Sequence, residues 1–126
     1  MNNVSYSDVC IRNVSNPIFL TPIYSSSTGR YIPQYTNITF SNIHVVIGGS
    51  NTPTVTLDGY NASHINSVTL DNVIIDPALN MTTSYANVTL GPGNVNFTPS
   101  GTGVTVTNKI SGSSTPNACT NKWVTF

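Results

Sequence analysis

Apolar residues alternate with small polar ones along most of the chain, and the alternation breaks at the same place each time it recurs. The segment VSYSDVCIR at Val4 returns as ITFSNIHVV at Ile38, as VTLDNVIID at Val68 and, in worn form, as VTLGPGNVNF at Val88. A spacing of two between apolar positions is the period of a strand. In the first three copies Asp8, Asn42 or Asn72 stands directly before a second apolar pair. Asp and Asn tolerate the left-handed backbone region better than other non-glycine residues. The pattern therefore predicts a strand, a bend and a second strand. After a turn at Pro17 comes a further apolar run, Ile18 to Leu20, closed by Tyr24; it returns as PTVTLDGY, ending at Tyr60. The polar segment SSSTGRYIPQ that follows Tyr24 reads as a surface loop.

Strand, bend, strand, turn, strand and loop thus occur twice in the same order. Val4 and Ile38 lie 34 residues apart, and Ile38 and Val68 lie 30 apart, intervals typical of solenoid repeats. No apolar stripe of helical period is present, so the repeats predict an all-β solenoid. One coil cannot bury both faces of its strands, but stacked coils place Val4, Ile38 and Val68 in one internal column and Tyr6, Phe40 and Leu70 in another. Asp8, Asn42 and Asn72 then form a ladder at the bend, bonded along the axis. A β-sandwich is the rival arrangement for the same short strands. Residues 1–76 read as regular coils and residues 77–110 as looser final ones. Residues 111–126, with Trp123, Val124 and Phe126, read as a tail that caps the last open coil. The other end has no such cover, which predicts self-association through unpaired strand edges.

The chain has 126 residues, enough for one domain with a core. Its charge is sparse: four aspartates, no glutamate, four bases and a formal net charge of zero. No basic patch is available to release counterions from a phosphate backbone, so nucleic acid is not an expected partner. No window approaches the roughly 20 apolar residues of a membrane span, and no secretory signal is visible at the N-terminus. Cys10 and Cys119 are the two cysteines. Cys10 lies in a strand pattern where a small buried hydrophobe is the commoner role, and a bridge to Cys119 is the alternative. Seven Asn-X-Ser/Thr triplets, at Asn3, Asn13, Asn37, Asn61, Asn80, Asn87 and Asn96, follow from a composition rich in Asn and Thr and say little about compartment.

Residues 4–46 resemble the C-terminal turns of glycoside hydrolase family 28, the polygalacturonases and their relatives, and the closing STPNACTNKWVTF resembles bacterial members. The resemblance implies a right-handed parallel β-helix. It also implies a parent enzyme, secreted, that hydrolyses α-1,4 bonds of galacturonan in pectin with inversion and without cofactor or metal. The family's chemistry rests on Asn-Thr-Asp, Asp-Asp, Gly-His-Gly and Arg-Ile-Lys motifs, and none occurs here. Inverting hydrolysis needs a carboxylic acid and a carboxylate base about 6.5–9.5 Å apart. The resemblance thus implies a C-terminal portion of such an enzyme, inactive alone, with no catalytic residue. One family position is matched: Tyr24, where the family places a tyrosine that contacts the bound sugar. A tyrosine closing a strand edge is the simpler reading of the same residue. The other expected function is a non-catalytic β-solenoid that holds polysaccharide on stacked Asn and Thr faces.

The remaining candidates are weak. His44 alternates outward between Ile43 and Val45 and reads as a solvent-facing strand residue. His64 lies in a turn without flanking glycines. No cluster of His, Cys and carboxylates has metal-ligand spacing. Asp71, beside Asn72, and Asp76, before Pro77, are explained by turn chemistry.

Overall fold

The computed structural model describes residues 2–22, 34–46, 52–76 and 79–111. These form eight strands: β1 (Asn2–Arg12), β2 (Ile18–Leu20), β3 (Thr36–Val46), β4 (Thr54–Asp58), β5 (Asn66–Asp76), β6 (Asn80–Ser84), β7 (Ala86–Leu90) and β8 (Thr105–Asn108). A long sheet has the order β1-β3-β5-β7-β8 and a short sheet the order β2-β4-β6. Every ladder between these strands is parallel. Parallel neighbours require a crossover. From β1 to β7 the crossover is a strand of the other sheet, so the chain coils through both sheets in turn. That winding excludes the β-sandwich and is a parallel β-helix.

The expected columns are register partners. Val4, Ile38 and Val68 stand side by side, as do Tyr6, Phe40 and Leu70; Val88 and Leu90 continue them in β7. The bend lies where the pattern breaks: Asp8, Asn42 and Asn72 have φ of 58°, 56° and 59°. Its role follows from parity. A one-residue shift in a strand exchanges its two faces. In β3, Ile38 and Phe40 point inward before the bend and Ile43 and Val45 after it, all buried. The left-handed residue absorbs the odd step, so both halves of an 11-residue strand face one interior around a corner.

That interior is apolar and shared by both sheets. Ile38, Val45, Val55, Leu57, Leu70 and Val73 are all 0 % exposed. Each such side chain contributes about 1.5–3 kcal/mol relative to exposure. The short sheet contributes Ile18, Leu20, Val55 and Leu57. Packing is tight where coils cross between sheets: a Cβ on Gly59 would lie 2.1 Å from the Tyr85 carbonyl oxygen, so only glycine fits there. The inward residues of β1 are less covered. Val4, Val9 and Ile11 are partly buried, whereas their partners in β3 are buried.

Several expectations fall outside the described residues: the capping role of all but the first residue of 111–126, the loop after Tyr24, and the placement of Tyr24 and Cys119. Cys10 is disulfide-bonded, which overturns its reading as a free buried thiol.

Candidate functional site

The bend ladder is built from amides. The Asn42 Nδ2 donates to Asp8 Oδ1, and Asn72 Nδ2 donates to Asn42 Oδ1 at 3.3 Å. A shorter ladder of the same kind joins Asn37 Nδ2 to Asn3 Oδ1 near the strand starts. Beside the main ladder is a shallow polar recess of about 370 Å³, lined by Ser41, Asn42, Asp71, Asn72, Gly93 and Ser111 among others. Asp71 Oδ1 accepts the Gly93 backbone N–H at 2.7 Å. This bond spans two coils, so Asp71 serves the stacking of coils as well as its own turn.

His44 is on the outer face, as its alternation predicts, but its side chain is 22 % exposed and its Nε2 lies 3.0 Å from Asp76 Oδ2. Asp76 is therefore a partner for His44 as well as the residue before Pro77. Such a pair at the surface contributes little, about 0–1 kcal/mol.

The C-terminal end of the short sheet carries a group of polar and aromatic side chains. Asp58 ends β4, and its Oδ1 accepts the Ser84 hydroxyl at 3.2 Å. Burial pushes the Asp58 carboxyl above the usual carboxylate value, with the Ser84 hydrogen bond pulling the other way. Asn66, fully buried, ties three coils together. Its Nδ2 donates to the Asp58 carbonyl at 2.6 Å, and its Oδ1 accepts from the Tyr35 N–H at 3.1 Å. Its own N–H donates to the Tyr85 carbonyl at 3.0 Å. His64 closes a tight turn, with Nδ1 3.0 Å from Asn61 Oδ1, and meets the exposed Tyr60 ring edge-on at 6.1 Å.

A tyrosine follows the end of each strand of the short sheet: Tyr24 after β2, Tyr60 after β4 and Tyr85 after β6. The family position singles out Tyr24 alone; in the sequence Tyr60 reads only as the end of the returning run PTVTLDGY, and Tyr85 is not singled out. The recurrence of Tyr after the apolar run was the available signal. Asn66 was missed because an Asn at the start of a strand looks like any turn residue; only the fold shows that it is buried.

The Asn-X-Ser/Thr triplets also acquire a physical origin. Asn3, Asn13 and Asn37 have φ of 57°, 57° and 53°, so each combines a left-handed Asn with the alternating hydroxyl residue that follows. Asn96 instead uses its side-chain amide as a strand partner, bonding the N–H of Ile75 at 3.0 Å and its carbonyl at 2.7 Å. Among the described residues no group of three or more His, Cys, Asp or Glu could hold a metal ion. No helix there is long and apolar enough to cross a membrane.

Stacked parallel coils with an amide ladder at a left-handed corner define a parallel β-helix. Comparison with known proteins gives the family: the chain belongs to the glycosyl hydrolases family 28, whose model matches residues 1–121. It is 36 % identical to a polygalacturonase of Ralstonia solanacearum over 108 residues, 82 % of this chain and 20 % of that protein. It is 34 % identical to a polygalacturonase of Ralstonia nicotianae over 123 residues, 91 % of this chain and 23 % of that one. An endo-polygalacturonase of Pectobacterium carotovorum is 36 % identical over 73 residues, 58 % of this chain and 17 % of the relative. The chain thus spans about a fifth of the length of these relatives. No solved structure matches it.

Proposed function

We propose that the chain supplies non-catalytic coils of a pectin-degrading hydrolase that cleaves galacturonan, and that it has no turnover alone. The observation that carries this reading is the fate of the carboxylates. The chain has four aspartates and no glutamate. Asp8 accepts the Asn42 amide, Asp58 the Ser84 hydroxyl and Asp71 the Gly93 N–H, while Asp76 pairs with His44. Asp58 has the raised proton affinity of a general acid, but it stands on the short sheet while the other three lie on the long one. No pair is left to act as acid and base across one sugar. In the longer enzyme Tyr24 contacts the bound sugar, its ring stacking and its hydroxyl hydrogen-bonding. Secretion of that enzyme agrees with a disulfide at Cys10, which persists in oxidising compartments.

Purified chain incubated with polygalacturonate should release no reducing ends above buffer; turnover that co-purifies with the chain and is lost in Asp58→Asn refutes the reading. A second reading, a polysaccharide-holding module, is favoured by one array: Ser5, Thr39, Thr69, Thr89 and Thr107 form a register column along the long sheet. Oligogalacturonide binding to the chain that Tyr24→Ala abolishes would place binding at Tyr24. Binding lost in Thr69→Val but kept in Tyr24→Ala would support the hydroxyl column.

A further inference from the structure

The turn between β4 and β5 presents an aromatic ring to solvent and restrains it. Tyr60 is 42 % exposed. A loose side chain of this kind loses rotamer freedom when a ligand orders it, and a restrained one loses less. Here the turn is pinned at both ends to the next coil: the Gly59 N–H donates to the Ser84 carbonyl at 2.7 Å and the Asn66 N–H to the Tyr85 carbonyl at 3.0 Å. Between these anchors the Tyr60 N–H donates to the His64 carbonyl at 3.2 Å, and the His64 N–H to the Asn61 carbonyl at 3.0 Å. The Tyr60 ring itself is met edge-on by the His64 imidazole at 6.1 Å.

The same turn decides which nitrogen of His64 carries its hydrogen. Asn61 Oδ1 accepts the Ser63 N–H at 2.9 Å. A backbone N–H only donates, so this atom is the oxygen of the amide. It also lies 3.0 Å from His64 Nδ1, and an oxygen that only accepts requires the hydrogen on Nδ1. The neutral ring then offers a lone pair on Nε2. Among the described residues Nε2 has no hydrogen-bond partner, and it is not buried. An exposed aromatic face and an accessible acceptor thus stand side by side on a turn with little freedom to move.

We propose that Tyr60 and His64 form a sugar subsite, in which a galacturonate ring lays a C–H face on Tyr60 and donates one hydroxyl hydrogen bond to His64 Nε2. A pyranose has both parts, an apolar C–H face and O–H donors at its rim, and an aromatic ring accepts the first as a lone pair accepts the second. The choice of galacturonate rests on the reading of the chain as coils of a pectin-degrading hydrolase; the subsite adds which part of the sugar is recognised. The carboxylate is not the handle. A carboxylate and a neutral Nε2 are both acceptors, and residues 59–65 include no Lys or Arg. The bases among the described residues, Arg12 and Lys109, lie in β1 and just after β8, both strands of the other sheet. Free and methyl-esterified galacturonides therefore bind alike.

The two histidines make the test clean. His64 reports the subsite, and His44, on the long sheet beside Asp76, is the internal control. A two-bond proton–nitrogen correlation spectrum of the 126-residue chain, taken at about pH 8 where an ordinary imidazole is neutral, should show the His64 hydrogen on Nδ1. Titration with trigalacturonate, or with its methyl ester, should shift the His64 ring signals and leave those of His44 in place. Tyr60→Phe keeps the aromatic face and should hold the affinity within about threefold; Tyr60→Ala should lower it about tenfold or more. Tyr60 is exposed, so both variants should retain the far-UV spectrum. No binding of either sugar overturns the proposal, as does a His64 hydrogen on Nε2. Undiminished affinity in Tyr60→Ala, or binding of the free acid but not of the ester, overturns it as well. Reducing ends assayed in the same samples report on turnover separately, so the subsite and the absence of catalysis fail by different readouts.

Discussion

Asn42 is the central rung of the bend ladder, and replacing it separates what its backbone does from what its side chain does. Asn42→Ala removes the bond to Asp8 and the 3.3 Å bond from Asn72, about 0.5–1.5 kcal/mol each. It also holds an alanine at a φ of 56°, which costs about 1–2 kcal/mol. The expected loss is about 2–5 kcal/mol, set against a total of about 5–15 kcal/mol for an ordinary domain. Asn42→Gly loses the same two bonds but is free of the left-handed penalty, with about 0.5–1 kcal/mol of chain entropy in its place. The glycine variant should therefore be the more stable of the two. Inside a regular strand or helix the order is the reverse, so the inversion is diagnostic. Urea unfolding followed by far-UV circular dichroism, with unchanged slopes for both variants, measures the difference. An alanine variant equal to or more stable than the glycine variant refutes the account of the corner.

Two further outcomes follow from the short-sheet end. Asn66→Ala takes hydrogen bonds from the Tyr35 N–H and the Asp58 carbonyl in a fully buried site and should cost about 2–6 kcal/mol. The exposed Asn80→Ala should stay within about 0.5 kcal/mol of the parent in the same urea titration. Asp58 gives a pH dependence of unusual sign. Its folded value is raised, so the folded state holds the proton more tightly than the unfolded one. Its stabilising contribution is complete below the unfolded value of 3.8 and is lost as pH rises through the folded one. Asp58→Asn should remove that decline in melts taken from acid to neutral pH. A variant that keeps the decline places its origin elsewhere.

Much of the coil was legible because it is written in side-chain period. The alternation at Val4, Ile38 and Val68 located the long strands. The repeated Asp8, Asn42 and Asn72 located the corner and the ladder. The return of Ile18 to Leu20 as residues 54–58 located the short sheet. What was illegible depends on contacts between coils. Asp71 and Asp76 looked like local turn residues because their partners, Gly93 and His44, come from other coils. Cys10 looked like a core residue because a strand pattern does not reveal which face a half-buried side chain takes. Asn66 and Tyr60 gained meaning only when Tyr35, Asp58 and His64 were brought beside them.

The corner residue has one more consequence. Because each coil enters and leaves with the same side chains facing inward, the strands of this protein tolerate changes of length only in whole coils. Removing residues 38–67 as a block would set Val68 against Val4 and Asn72 against Asp8, whereas removing one residue within a strand would turn half of it inside out. Chains of this kind can therefore grow or shrink by whole coils, while the differing spacings of Val4, Ile38, Val68 and Val88 are taken up outside the paired strands.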